Sequence, residues 1–62
     1  MTTPPLLTPD EVAAWLRVPI ASLATRRYRG EGPPFLKVGR LVRYRVDDVE
    51  GWLNNQQELA LR

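Results

Sequence analysis

Sixty-two residues make one domain at most, and with no Cys and no His neither a disulfide framework nor the usual zinc ligands are on offer, so packing alone must hold the fold. The chain is 44% hydrophobic, with Trp15, Trp52, Phe35 and Tyr44 as candidates for a small core; no apolar run approaches the roughly 18 residues of a membrane span, and Met1 to Pro5 lack the features of a signal peptide, so a soluble cytosolic chain is expected. The formal net charge of +2 is gathered mid-chain, where Arg26, Arg27, Arg29, Lys37, Arg40, Arg43 and Arg45 stand against Glu31 alone, a directed field that suits a polyanion.

The first helix announces itself at Thr8, which can cap, with Pro9 at the first helical position and Glu11 closing a capping box. It should run from Pro9 to Leu16. Val12, Ala13, Trp15 and Leu16 fall at helical spacing, which assigns Trp15 to the core as an anchor. Arg17, Val18 and Pro19 form a short link, and the proline suits the start of a second helix. That helix should cover Ile20 to Arg29, with Leu23 facing inward and Ser22, Thr25, Arg26 and Arg29 on outer faces. The run Gly30, Glu31, Gly32, Pro33, Pro34 stops it.

From Phe35 to Arg45 the pattern is a hairpin centred on Gly39 and Arg40, with two competing registers. A two-residue loop pairs Val38 with Leu41 and puts Arg43 on the face of Leu36 and Val38. A three-residue loop of Gly39, Arg40 and Leu41 pairs Val38 with Val42 and Leu36 with Tyr44, leaving Lys37 and Arg43 together on an opposite, basic face. The second is the expectation, because one apolar and one basic face describe a wing that packs on helices and meets phosphate. It places Gly39 at the head of the loop, away from the usual site of glycine in three-residue loops. A third helix is expected to open at Asp47 as its cap, with Glu50 three residues on, and to bury Val49, Trp52 and Leu53; Gly51 weakens it modestly. Beyond it, Asn54 to Arg62 can extend the helix through Leu59, Ala60 and Leu61 or fray. The chain is thus expected to be mostly α with a small β-hairpin: a winged helix-turn-helix, one domain over residues 1–62, with 1–5 and 55–62 as flexible tails.

Catalysis is not expected. The only serine, Ser22, has no candidate general base beside it. Asp10 with Glu11, and Asp47 with Asp48, sit in first turns of helices, where negative charge favours the dipole. Gly30, Gly32 and Gly39 lack the spacing of a phosphate-cradling loop. No metal, cofactor, small-molecule ligand or membrane is implied. The basic residues are better placed: Arg26, Arg27 and Arg29 lie on the second helix of a helix-turn-helix, the element that enters the major groove in such folds, while Lys37, Arg40 and Arg43 lie on the wing. Two elements then present cations to one duplex.

Leu7-Thr8-Pro9-Asp10-Glu11-Val12-Ala13, Val18-Pro19, Arg27-Tyr28-Arg29-Gly30-Glu31-Gly32-Pro33-Pro34-Phe35, Val38-Gly39-Arg40 and Val42-Arg43-Tyr44, with Asp48, Val49, Glu50, Trp52 and Leu53, together resemble the excisionase family of DNA-binding domains, relatives of the MerR-type winged helix. The resemblance spans about Leu6 to Leu53. It implies major-groove binding by the second helix, through Ile20, Ala21, Ser22, Thr25, Arg26, Arg27 and Arg29, and minor-groove or backbone contact by the wing, through Lys37, Gly39, Arg40, Leu41, Arg43 and Arg45. Three positions depart from the family pattern. Arg26 stands where many members have a tryptophan, so the second helix either packs differently or gains a DNA contact; Leu41 replaces a basic wing residue, which either weakens phosphate binding or supplies an apolar tip that enters the minor groove; and Ser22 replaces threonine. Family members act as recombination directionality factors that bend DNA beside a phage-type integrase, or as small transcription regulators. The first role is expected here, in the cytoplasm of a bacterial or phage-infected cell, at the nucleoid. MerR-type regulators continue into a long dimerisation helix, whereas nine residues follow Leu53. Monomers arrayed on direct repeats, touching through the Leu59 to Leu61 end or the wing, are therefore the expected assembly.

Overall fold

Thr8 and Glu11 satisfy each other at the start of the first helix, the Thr8 amide donating to Glu11 Oε1 at 2.8 Å and the Glu11 amide donating to Thr8 Oγ1 at 3.1 Å. In the computed structural model, which describes residues 6–60 and side chains through Gln56, five elements follow: α1 (Pro9–Leu16), α2 (Ile20–Arg29), β1 (Leu36–Val38), β2 (Leu41–Arg43) and α3 (Val46–Ala60). The three helices and the antiparallel hairpin form a winged helix-turn-helix. Of the expected tails, α3 carries the chain on through Ala60, while residues 1–5, Leu61 and Arg62 lie outside the described part.

The α1–α2 joint and the end of α2 are closed by the same device. Arg17 takes a left-handed conformation (φ 58°), its amide donates to the Ala14 carbonyl at 3.2 Å, and the Val18 amide reaches the Ala13 carbonyl at 3.0 Å. Gly30 does the same after α2 (φ 72°), with the Gly30 and Glu31 amides on the Arg27 and Arg26 carbonyls at 3.2 and 2.8 Å. Only the second site carries the residue that tolerates this geometry without strain. Arg17→Gly is accordingly expected to be neutral or to raise stability by up to about 1 kcal/mol, and Gly30→Ala to lower it by about 1–2 kcal/mol, in urea melts at equal m-value. The opposite order would mean that Arg17 gains a contact offsetting its strain.

The hairpin adopts the register set aside in the sequence reading. Leu36 pairs with Arg43, Lys37 with Val42 and Val38 with Leu41, around a two-residue loop of Gly39 and Arg40. Gly39 has φ 64° and Arg40 does not share that sign, the pattern of a type II′ turn, whose first central position calls for glycine. A one-residue difference in register exchanges the faces. Lys37 therefore shares a face with Val42, Phe35 and Tyr44, toward the core, and Arg43 joins Leu36, Val38 and Leu41 on the outer side. The expected basic face holding both Lys37 and Arg43 does not form. Leu7 extends the sheet by a single bridge, exchanging backbone hydrogen bonds with Tyr44 at 2.7 and 2.9 Å, and so ties the entry to α1 to the base of the wing.

Val12, Ala13, Leu23, Tyr44 and Val49 form the core, one or two from each helix and one from the wing, with Leu7, Leu16, Val18, Val42 and Leu53 packed around them. Of the four aromatic residues expected there, only Tyr44 is buried outright. Trp15 is 40% exposed, contrary to its assignment as a core anchor, and Phe35 is 41% exposed; Trp52 is half-buried. The stripe of α1 that meets α2 is Val12, Ala13 and Leu16, and at about 100° per residue Trp15 falls roughly a quarter-turn off its centre. Among the described residues no element covers that second stripe. At α3 the expected cap is also displaced. The Val49 amide already donates to the Arg45 carbonyl at 3.1 Å, so the helix starts at Val46, and Asp47 and Asp48 sit within its first turn. There their charge still favours the helix dipole.

Among the described residues no helix is long and apolar enough to cross a membrane, and no group of three or more His, Cys, Asp or Glu side chains comes together.

Candidate nucleic-acid interface

Leu23 is the buried residue of α2, and Ala24 and Arg27 flank it half-buried. With 3.6 residues per turn, Ala21, Thr25, Tyr28 and Arg29 lie on the far side of the helix from Leu23, and Ser22 and Arg26 lie on one flank, where Arg26 also borders a hollow with Leu16, Val18, Trp52 and Leu53. Ala21, Ser22, Thr25, Arg26, Tyr28 and Arg29 are all exposed, as is Ile20 at the helix start. The Thr25 hydroxyl donates to the Ala21 carbonyl at 3.0 Å, which fixes its rotamer along the helix. Ser22, Thr25, Arg26, Arg29 and Glu31 border one shallow hollow on this face. The loop after α2 supports Arg26 from behind: a Cβ on Gly32 would stand 3.2 Å from Arg26 Cβ, tighter than ordinary contact. Glycine at this position lets the loop approach so closely.

Arg27 takes a different place from the rest of the expected major-groove set. Its Nη1 donates to the Tyr44 hydroxyl at 3.1 Å, and its guanidinium carbon lies 5.9 Å from the centroid of the Phe35 ring. Phe35 in turn tilts against Tyr44, with centroids 6.3 Å apart. The buried phenol thereby gains a polar partner, and the wing is coupled to α2.

Tyr28 was missed in the sequence reading. It is 93% exposed, yet it follows Ala21 and Thr25 at i+7 and i+3, on the wing side of the far face. That spacing was available in the sequence once Leu23 and Arg27 were placed on the inner side.

On the wing, Lys37, Gly39, Arg40 and Leu41 are exposed, Leu41 at 54%, and Arg45 is exposed at the base before α3. Arg43 is half-buried and bends back so that Nη1 donates to the Val42 carbonyl at 2.7 Å. The cations of the two elements are therefore not all brought together. Lys37 faces α2, Arg40 occupies the tip, and Arg43 stands on the far side.

A helix-turn-helix domain family model matches residues 6–57. The chain belongs to this helix-turn-helix domain family. The family contains excisionase-like proteins, and membership points to DNA as the ligand of the domain. Helix-turn-helix domains as a class use the second helix of the motif for recognition, and α2 holds that place in the order of elements. No curated protein matches the chain.

Proposed function

We propose that the chain binds duplex DNA sequence-specifically as an excisionase, with α2 in the major groove and the wing on the flanking backbone or minor groove. The observation that carries the reading is the outer face of α2, where Ser22, Thr25, Arg26 and Arg29 stand in solvent on the element that a helix-turn-helix inserts. Ile20 and Ala21 supply apolar contacts near the helix N-terminus. Arg26, through its guanidinium fork, is the candidate reader of a guanine edge. Lys37, Gly39, Arg40, Leu41 and Arg45 meet the duplex from the wing side. Bending of DNA beside a phage-type integrase, by monomers cooperating on direct repeats at the nucleoid, follows the excisionase likeness of the sequence. The Leu59 to Leu61 end, suggested above for contacts between monomers, lies outside the described side chains.

Footprinting on DNA flanking the chain's own gene tests the role. Direct repeats beside an integrase core site are expected, whereas a single protected site over a promoter would make the chain a transcription regulator instead. Binding itself is tested by salt. Several displaced counterions should give log affinity against log salt a slope of magnitude about 3–6, and a slope near zero would remove the electrostatic basis of the proposal.

A further inference from the structure

Between the wing and the flank of α2 that faces it runs a cleft of about 440 Å³, bordered by Ala24, Arg27, Tyr28, Phe35, Lys37 and Val42. Its walls carry two cations and a phenol, and no acid. The two-residue hairpin loop is what brings Lys37 there, by placing it on the wing face of Phe35 and Val42. Arg27 forms the back wall. Tyr44 and Phe35 hold it in position, and a guanidinium has five N–H donors, of which the bond to the Tyr44 hydroxyl uses one. Tyr28 stands at the mouth, 93% exposed, with nothing in the fold that its ring packs into.

We infer that this cleft is the seat of one phosphodiester of the DNA backbone, clasped by Arg27 from α2 and Lys37 from the wing, with the Tyr28 hydroxyl donating to a phosphate oxygen at the rim. The inference rests on the proposed binding of DNA and adds what that reading lacks: a single phosphate gripped by both elements, which would set how deeply α2 sits in the groove. A charge-assisted grip of this kind positions the protein without reading a base. Arg27 is thereby moved from the base-contacting set to the backbone.

The test uses the full chain, a duplex selected by it from a random pool, and copies of that duplex in which one phosphate at a time is replaced by a neutral methylphosphonate. Lys37→Gln and Tyr28→Phe are the variants, since both side chains are exposed and thermal melts should match the parent. On the natural duplex Lys37→Gln is expected to weaken binding about fivefold to tenfold and to lower the salt slope by about 0.9, and Tyr28→Phe to weaken it about threefold with the slope unchanged. Both losses should vanish on the same methylphosphonate duplex. Losses that map to different phosphates, or variants that bind like the parent, overturn the shared seat. So does a change of base preference in Tyr28→Phe, which would make Tyr28 a reader of bases. If the parent chain fails to select any duplex or shows no salt dependence, it is the DNA-binding proposal that falls, before the cleft is in question.

Discussion

Arg26→Ala is expected to cost about 1–3 kcal/mol in binding to a selected site, up to about a hundredfold in Kd, while binding to scrambled duplex falls far less. The side chain stands on the exposed band of α2 with Ser22, Thr25 and Arg29, and the close approach of Gly32 backs its Cβ. Its guanidinium, exposed to solvent, can offer two parallel donors to a guanine edge, and its loss blunts discrimination at one or two base pairs. Arg43→Ala is the matched control. The wing was expected to present Arg43 to phosphate together with Lys37; the hairpin register leaves Arg43 without Lys37 on the side away from α2, where one of its guanidinium N–H groups donates to the Val42 carbonyl. Its removal should change affinity less than about threefold for any sequence, as befits a charge off the contact face. Equal losses on selected and scrambled duplex for Arg26→Ala would make it a backbone clamp. A large loss for Arg43→Ala would show that DNA approaches the outer face of the wing.

Leu23→Ala should come close to unfolding the domain. Truncating a fully buried leucine costs about 2–5 kcal/mol, and a chain of this size has a total stability of only about 3–9 kcal/mol. Leu23 is the one residue of α2 at 0% exposure, set among Val12, Ala13, Tyr44 and Val49, so the cavity would open where both other helices and the wing meet. A fall in Tm of at least about 10 °C is expected by circular dichroism. Ile20→Ala makes the comparison: Ile20 is 47% exposed on the same helix, and the substitution should shift Tm by only a few degrees. A Leu23→Ala protein melting within two or three degrees of the parent would mean that α2 is not held through this contact.

The boundaries of α1 and α2 were legible because the signals that set them are local. Thr8, Pro9 and Glu11 act across three residues, and the capping box forms as read. Pro19 and Gly30 bound α2 at the residues expected, since a missing amide hydrogen and a tolerance for positive φ act where they stand. The inward placement of Leu23 and Val49, and the order helix, helix, wing, helix, were likewise readable from spacing alone. So was the concentration of cations between Arg26 and Arg45.

Tertiary structure decided which faces those elements present. Both hairpin registers satisfied alternation and turned Tyr44 and Val42 inward, and the choice went to the one in which Gly39 takes the first, positive-φ position of a two-residue turn. That choice moved Lys37 toward α2 and left Arg43 on the outer side, where either register puts it, so the two cations were separated by a single residue of register. Arg27 and Tyr28 are neighbours in sequence, yet one is drawn inward by the hydroxyl of Tyr44, 17 residues later, and the other is left in solvent. Trp15 belongs to the same class, because periodicity can name the apolar positions of α1 but cannot say how much chain remains to cover them. Caps and breakers act through bonds within a few residues, whereas burial and facing depend on what another element brings alongside, and only the folded chain supplies that.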